Sequence, residues 1–351
     1  MLSIVVLNWN SGPFLRRCLA SIEAQTSAEW ELIAVDNGST NDSLAVLEEF
    51  QQRGVITTLV RLETNVGYAE GMNVGLRRAM GDVILALNSD AVLAPGFVEV
   101  VNRDGAKVMG ERPSVGLLAV PVFDWELSPT RDVLTNRLQA AGVTLVRRLT
   151  VCHWVDGVER SEALLGPSGA AQVISRRALD AAIAYSGFAF DPDYFAYAED
   201  IDLYVRLQSL GFTCAPLTGT RLWHLGSASV GQAVRLSRKP QRLQAMSHLN
   251  RWRTWAKLGS GRIRIGMLPW MLLEDIIRLV VSPDRWWRLK QYVANYAALR
   301  AQKRRRYPVA RLAFGGTMYS RSTWRALHGR SPVRYPSAPS ALNPVNGTSH
   351  E

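Results

Sequence analysis

The chain has 351 residues, of which 47% are apolar, and a net charge of +11, so it can build one large domain or two modest ones. The basic excess indicates anionic partners: nucleic acid, nucleotide phosphates or acidic lipid. Three widely spaced cysteines, Cys18, Cys152 and Cys214, exclude a disulfide framework and a cysteine metal cluster. With no signal peptide and no run of about 20 uncharged apolar residues, we expect a cytoplasmic protein, at most peripheral on the inner face of the cell membrane.

Short apolar runs alternate with helical patterns through the first 120 residues. The runs predict five strands, at 2–7, 32–35, 55–60, 83–87 and 115–120, and helical spacing predicts helices over 14–25 and 44–50. Continuous apolar strands that alternate with amphipathic helices are typical of an α/β fold, a mostly parallel sheet sandwiched by helices. Residues 121–165 show no regular pattern.

Short polar side chains follow three of these strands, at 8–10, 36–39 and 88–90. Ligands of such sheets bind beyond the carboxyl ends of the strands. Asp90 could join a divalent ion to a diphosphate, or it could belong to a turn that ends a strand. Asp36 could accept hydrogen bonds from a nucleoside, or it could form a turn that caps the next helix.

Three later features also allow two interpretations. Glycines 67, 71 and 75 permit either close approach of a ligand to the backbone or tight helix packing. Glu199 and Asp200 open a helix predicted over 199–210, where they could complement the helix dipole or remove a proton from an acceptor hydroxyl. His224, flanked by glycine and serine residues, is either a ligand or a structural histidine.

The C-terminal third differs in character from the rest. Residues 262–306 contain eleven lysine or arginine residues, three acidic residues and several tryptophans. This pattern predicts a basic amphipathic helical extension, residues 236–325, that binds an anionic membrane surface. The alternative is a packed helical appendage with a solvated basic face. Residues 326–351, rich in Pro, Ser and Asn, are predicted to be disordered.

Taken in order, seven segments resemble motifs of glycosyltransferase family 2, which has the nucleotide-binding GT-A fold. They are the first strand at 3–10, a base-binding turn at 35–39, an Asn-x-Gly-x-Ala-x-Gly-x-Asn segment at 65–73, the metal motif at 88–90, an acceptor-side segment at 166–170, a Glu-Asp-x-Asp-Leu helix at 197–203 and a late histidine, His224. The likeness covers roughly residues 1–230 and is greatest to the rhamnosyltransferase-like branch. Asn88 replaces the first aspartate of the family's Asp-x-Asp metal motif, which leaves that site one carboxylate short.

The resemblance implies an inverting transfer of a sugar, with rhamnose as the first candidate, from a nucleotide-diphosphate donor to a hydroxyl of a glycan or lipid-linked acceptor. It assigns residues 1–235 to the transferase domain. Asp200 is the implied catalytic base, with Glu199 as the alternative, and Gly169 and Asp202 lie on the acceptor side. Asp90 and His224 would hold Mg²⁺ or Mn²⁺. The implied donor-binding residues are Asn8, Asn10, Asp36, Ser39, Asn65, Gly67, Asn73, Asn88 and Ser89.

Three rival functions fit the sequence less well. A processive polysaccharide synthase needs spanning helices and a Gln-x-x-Arg-Trp motif, but His248 stands at the glutamine position before Arg251 and Trp252. A sugar-1-phosphate nucleotidyltransferase would have a glycine-rich basic loop after the first strand, which is missing here. A nucleic-acid-binding protein would fit the charge, but no helix-turn-helix, zinc-finger or RNA-binding motif is present, so we expect no nucleic-acid partner.

Overall fold

The computed structural model describes residues 1–128, 131–145, 151–153, 164–226, 241–258 and 261–281, together with Trp286 and Lys290. The strands are β1 (Leu2–Asn8), β2 (Trp30–Asn37), β3 (Thr58–Leu62), β4 (Val83–Asn88), β5 (Ala91–Leu93), β6 (Val115–Ala119), β7 (Val122–Ser128), β8 (Arg131–Ala140), β9 (Val143–Leu145), β10 (Val151–His153), β11 (Ala171–Ser175), β12 (Thr213–Pro216) and β13 (Leu222–His224). The helices are α1 (Pro13–Glu23), α2 (Ser43–Gln52), α3 (Gly67–Leu76), α4 (Phe97–Val100), α5 (Ala106–Glu111), α6 (Arg176–Ser186), α7 (Glu199–Ser209), α8 (Gln241–Lys257) and α9 (Gly261–Val281), and a π turn, Val101–Gly105, joins α4 to α5.

The main sheet has seven strands in the order β12-β6-β11-β4-β1-β2-β3. All its neighbouring pairs are parallel except those of β11, which runs antiparallel to both β4 and β6. The predicted mostly parallel α/β sheet is therefore confirmed. Strand β3 begins three residues later than its apolar run suggests, because the amides of Val55 and Ile56 bond back to the carbonyl of Phe50 at the end of α2.

Helices cover both faces of this sheet, as the α/β pattern predicted. Helices α1, α2, α4 and α5 bury their apolar sides against one face. Helices α3, α6 and α7 cover the other face, and Leu258, Met267 and Met271 from the C-terminal helical region join the same hydrophobic cluster. A Cβ on Gly71 would stand 2.7 Å from Leu7 Cδ1, and one on Gly75 would overlap Val5. For these two glycines the structure therefore supports helix packing, since α3 lies directly on β1.

A second sheet arises where the sequence showed no regular pattern. It has the order β5-β13-β7-β8, and its buried side is built around Phe123, Trp125 and Trp223. The β7–β8 pairing contains two register shifts, which break the two-residue alternation that would have marked these strands. Strand β13 pairs with β5 so that His224 stands opposite Ala91, directly after Asp90.

Helices α8 and α9 are joined by buried ion pairs. Arg251 bonds to Glu274 and Asp275, and Trp252 Nε1 donates to Asp275 at 2.7 Å. None of the helices in the described part of the chain combines the length and apolar character needed to cross a bilayer. The predicted tail at 326–351 and the basic run at 303–306 lie outside the described residues. The division near residue 235 stays a prediction.

Candidate active site

The ends of β1 and β2 form a closed polar turn. Asn8 and Asp36 stand opposite each other in register, and Asn8 Nδ2 donates to Asp36 Oδ1 at 2.8 Å and to Ser39 Oγ at 3.0 Å. Ser39 N donates to Asp36 Oδ2 at 3.1 Å, and Asn10 N donates to Ser39 Oγ at 3.0 Å. The structure thus brings four predicted donor-binding residues together. Helix α2 begins only at Ser43, so Asp36 closes the turn and does not cap the helix.

Asn37 links this turn to the segment before α3. Its Nδ2 donates to Asn65 Oδ1 and to the carbonyl of Gly67, both at 3.2 Å, and its Oδ1 accepts from Val66 N. Asn65 Oδ1 also accepts from Gly67 N at 2.8 Å. Asn37 was missed as a site residue, although the adjacent Asp36 in the same motif was a signal for it.

Asn73 is placed differently from the other predicted donor-binding residues. It is buried on the inner side of α3, where it donates to the Phe190 carbonyl at 2.7 Å and accepts from Phe190 N at 2.9 Å. Both polar atoms of its amide are therefore engaged by one backbone residue. Asn73 thus fastens α3 to the segment that precedes α7, and its expected donor-binding role stays an untested prediction.

Asp90 and His224 meet at the end of β4. Asp90 Oδ1 lies 3.2 Å from His224 Nε2, and Asn88 Nδ2 lies 3.4 Å from the same nitrogen. The neighbouring Ser89 Oγ contacts Ser11 Oγ at 2.6 Å, which fixes the loop to the start of α1. The predicted metal ligands are thus side by side, with Asn88 next to them.

The hydrogen-bond partner of Nδ1 determines the tautomer of His224. Gln139 Nε2 donates to Asp124 Oδ1 at 3.0 Å, so the amide oxygen of Gln139 must face His224 Nδ1, 2.9 Å away. Neutral His224 then carries its proton on Nδ1 and directs the Nε2 lone pair at the Asp90 carboxylate. Two acceptors that face each other at this distance require a cation or a proton between them, so the residues fit a divalent ion. Within the described residues no group of three or more His, Cys, Asp or Glu side chains could hold a metal alone.

Glu199 and Asp200 open α7, as predicted. Asp200 Oδ1 accepts from Ile201 N at 2.8 Å, and its Oδ2 lies 2.8 Å from the point that a Cβ on Gly169 would occupy. Gly169 therefore leaves room for the carboxylate. Ala170, the next residue, accepts a hydrogen bond from Asn88 N at 3.0 Å, so Asp200 and the segment 88–90 lie at adjoining strand ends.

The surroundings raise the pKa of both carboxyl groups. Burial raises the pKa of Asp200 from 3.8 to about 6. Burial and the neighbouring Asp200 raise the pKa of Glu199 well above its ordinary value, and Glu199 Oε2 is buried without a hydrogen-bond partner among the described residues. Both groups therefore bind a proton more tightly than a free carboxyl group does. The choice of Asp200 as the base, with Glu199 as the alternative, stays a prediction.

Two tyrosines near these carboxyl groups were not predicted. Tyr68 OH accepts from Gln172 Nε2 at 3.3 Å, and burial, with Glu199 and Asp200, raises its pKa. Tyr204 lies one helical turn after Asp200, and a Cβ on Gly166 would overlap its ring. Its position four residues after Asp200 could have indicated from the sequence that Tyr204 lies next to that carboxyl group.

Asp202 is not exposed to solvent. It is fully buried, where its Oδ1 accepts from Tyr194 OH and Lys257 Nζ, both at 2.9 Å, and its Oδ2 lies 3.5 Å from Arg206 Nη2. A carboxylate with these buried partners anchors α7 from beneath, and the acceptor-side role of Asp202 stays an untested prediction.

Comparison with known proteins supports the resemblance to glycosyltransferase family 2. Residues 3–105 match the model "Glycosyl transferase family 2". An "Uncharacterized glycosyltransferase" of Haemophilus influenzae is 35% identical over 164 residues, which cover 42% of this chain and 53% of the relative. Glycosyltransferase GlyG of Streptococcus pneumoniae is 30% identical over 115 residues, which cover 31% of this chain and 38% of the relative. The chain thus spans about half or less of the length of these relatives.

The fold comparison agrees with these matches. The crystal structure of GalNAc-T7 with UDP, GalNAc and Mn²⁺ superposes with a TM-score of 0.56 and 13% identity, over 74% of this chain and 48% of that chain. At this identity the likeness shows the fold alone, which is of the GT-A type. The matches support the family, while the rhamnosyltransferase-like branch stays a prediction.

Proposed function

We propose that this chain, whose matches support glycosyl transferase family 2, transfers a sugar from a nucleotide-diphosphate donor to an acceptor hydroxyl with inversion. The observation that carries the proposal is the position of Asp200 at the start of α7, one strand away from the Asp90–His224 pair. We infer that Asp200 serves as the base on the acceptor side and that Asp90 and His224 hold an ion on the donor side.

Each part of the site has a role in this reaction. The turn at 36–39 and the Asn37–Asn65 pair receive the nucleoside, and Asp200 accepts the proton of the acceptor hydroxyl. The acceptor oxygen then bonds to the anomeric carbon while the bond from that carbon to the diphosphate oxygen breaks. Because attack and departure occur on opposite faces, the configuration inverts. A divalent ion held by Asp90 and His224 would offset the negative charge that develops on the diphosphate.

The donor is testable with a panel of nucleotide sugars. The GalNAc-T7 structure contains UDP and Mn²⁺, and the resemblance to the rhamnosyltransferase-like branch makes dTDP-rhamnose the first donor to test, followed by UDP-hexoses. We expect one nucleotide class, in the presence of Mn²⁺ or Mg²⁺, to raise the melting temperature of the full chain and to be consumed when an acceptor is supplied. If no nucleotide sugar bound or turned over, the proposal would be wrong.

The ion-binding pair is testable without turnover. We expect Asp90→Ala and His224→Ala each to weaken Mn²⁺ binding roughly tenfold or more, since each removes a ligand. Mn²⁺ titration followed by electron paramagnetic resonance measures this directly. Asp180→Asn, an exposed carboxyl change on α6, serves as the matched control. Unchanged Mn²⁺ affinity in both site variants would exclude this ion site.

The processive-synthase alternative is less well supported by the structure. Arg251 and Trp252, the part of the Gln-x-x-Arg-Trp motif that the sequence retains, bond to the acidic side chains of α9. These two residues therefore join α8 to α9, and they are not presented to a growing polymer.

The outer side of α9 supports contact with an anionic membrane surface. Its acidic residues, Glu274 and Asp275, face α8, and the opposite side exposes apolar residues. Ile265 is 73% exposed and Val280 is 72% exposed. The further apolar members of this stripe are Leu272, Leu273, Ile276 and Ile277. Arg262 is exposed in the first turn of α9, so we expect apolar insertion and attraction to anionic headgroups to act together.

Vesicle flotation tests this surface. We expect the full chain to float with vesicles of phosphatidylcholine and phosphatidylglycerol and to bind less to phosphatidylcholine alone. Ile276→Glu combined with Val280→Glu should weaken binding roughly tenfold or more, because each apolar side chain contributes about 1.5–3 kcal/mol when buried. Met80→Glu changes an exposed methionine outside α9 and should have no effect. Equal flotation of the α9 double variant would refute the surface, and a dimer lost in that variant would assign the stripe to a second copy.

A further inference from the structure

We propose that Asn250 of α8 is a positioning residue for the base, Asp200, because it holds the loop before α7 in a left-handed conformation. The inference rests on the proposed sugar transfer. It makes α8 a working part of the active site, although sequence analysis had assigned this region to a membrane-binding extension.

The loop that leads into Glu199 and Asp200 has an unusual backbone. Phe195, Tyr197 and Ala198 have φ values of 58°, 70° and 64°, in the region that side-chain-bearing residues rarely adopt. Ala198 is also the N-terminal cap of α7, and its side chain makes no capping hydrogen bond. Residues in this region persist only where the surroundings hold them. The direction in which Asp200 leaves the loop therefore depends on whatever holds residues 194–198.

Asn250 supplies that hold. Its Nδ2 lies within hydrogen-bond distance of three carbonyl oxygens of the loop, those of Tyr194 at 2.8 Å, Ala196 at 2.9 Å and Tyr197 at 2.7 Å. Because the amide has two N–H groups, two of these carbonyls share one donor. Its Oδ1 accepts from Arg253 Nη1 at 2.8 Å, which fixes the orientation of the amide because a guanidinium can only donate. Asn250 is fully buried. One amide group thus contacts several carbonyl oxygens of the left-handed loop, all of which point toward α8.

Helix α8 also contacts residues on both sides of Glu199 and Asp200 in the chain. Lys257 Nζ donates to Asp202 Oδ1 at 2.9 Å and to Asp191 Oδ2 at 2.6 Å, and all three side chains are fully buried. Thr254 Oγ1 contacts Tyr194 OH at 2.7 Å. Helix α8 therefore contacts the chain both before Glu199 and after Asp200.

The loop also touches the donor side of the site. Ala69 N, in α3, donates to the Phe195 carbonyl at 3.1 Å. A Cβ on Gly67 would stand 2.6 Å from the Phe195 ring, so that ring packs directly against the start of α3. The loop is therefore packed between the start of α3 and α8.

The experiment combines a substitution that removes the Asn250 amide with one that removes backbone strain at Ala198. Asn250→Ala is expected to lower kcat roughly 100-fold, because a displacement of about 1 Å in a reacting group has that effect, while the KM for the nucleotide sugar changes less than about threefold. Ala198→Gly removes the energetic penalty of a positive φ at this position. The double variant should therefore have a kcat at least about tenfold higher than that of Asn250→Ala alone. Trp255→Phe, which removes the bond from α8 to the Arg264 carbonyl, is the control and should keep both constants near those of the wild type.

The outcomes separate this inference from the proposed function. If the wild-type chain transfers no sugar, the proposed function fails, but the coupling between Asn250 and Ala198 is still measurable as unfolding free energies in a double-mutant cycle. If the wild type is active and Asn250→Ala matches it in kcat, or if Ala198→Gly rescues neither kcat nor stability, the positioning role is refuted. Should Asn250→Ala not fold, recovery of folded protein by added Ala198→Gly supports the role, and failure to recover it while Ala198→Gly alone folds refutes it.

Discussion

The substitution Asp200→Asn should make the protein more stable at the pH at which it makes the protein inactive. The amide has the same shape and its oxygen can still accept from Ile201 N. Burial raises the pKa of Asp200 from 3.8 to about 6, so the folded state binds this proton more tightly than the unfolded chain does. Its contribution to stability is fully present below pH 3.8 and is lost as the pH rises through about 6.

The size of the effect follows from the shift. About two pKa units at ~1.4 kcal/mol per unit give about 3 kcal/mol, which is a ceiling because the carboxylate keeps some contact with solvent. We therefore expect the free energy of unfolding of Asp200→Asn to exceed that of the wild type by up to about 3 kcal/mol at pH 8, and the two to converge near pH 4.

Urea unfolding followed by tryptophan fluorescence at pH 4, 6 and 8 measures this difference. Asp180→Asn, on the exposed face of α6, should match the wild type throughout. Sugar transfer by Asp200→Asn should fall about 10²–10⁴-fold, the usual contribution of a positioned base. A stability gain that is absent at pH 8, or that is the same at every pH, would refute the assignment of Asp200 as a buried group that ionises at neutral pH.

Three further substitutions test other parts of the structure. Gly169→Ala would place a Cβ 2.8 Å from Asp200 Oδ2, and it should lower kcat about 100-fold with little change in melting temperature; a normal kcat would contradict the contact. Gly75→Ala would overlap a valine methyl of β1 and should destabilise the fold by about 1–3 kcal/mol in urea unfolding. Gly110→Ala, which has open space around it, is the control and should leave the free energy of unfolding unchanged. Lys257→Met removes the ammonium group that bridges two fully buried carboxylates and should cost about 3–5 kcal/mol in the same assay. A loss below about 1 kcal/mol would show that this bridge contributes little to the stability of the fold.

The sheet and the strand-end residues could be predicted because the physical signals are local. Strands buried on both faces are recognisable as continuous apolar runs, and the carboxyl ends of parallel strands meet at one edge. Asn8, Asp36 and Asn88 could therefore be placed together before any contact was known. Asp200 could be singled out as a candidate base because it opens a predicted helix and because its motif resembles that of glycosyltransferase family 2.

The remaining site residues depend on contacts between distant parts of the chain. Gln139 and Asp124 orient His224 from a hairpin whose register shifts hide its strands. The resemblance put Asp202 on the acceptor side, but its carboxylate is buried and contacts Lys257 of α8, a residue 55 positions away in the chain. The contacts of the Asn250 amide with the loop carbonyls have no sequence signature, since they depend on a left-handed loop that contains no glycine.

The antiparallel strand β11 bears on how the chain folds during synthesis. Strands β1 to β4 are complete once Asn88 has been made, but the free edge of β4 is covered only by β11, at Ala171–Ser175. A growing chain between these two points carries an apolar strand with unpaired backbone groups, the kind of edge that recruits other chains. Because β11 also joins β6 to the sheet, late arrival of this one segment delays closure of the whole core. Slow translation or truncation between residues 88 and 175 should therefore yield aggregates rather than a smaller folded unit.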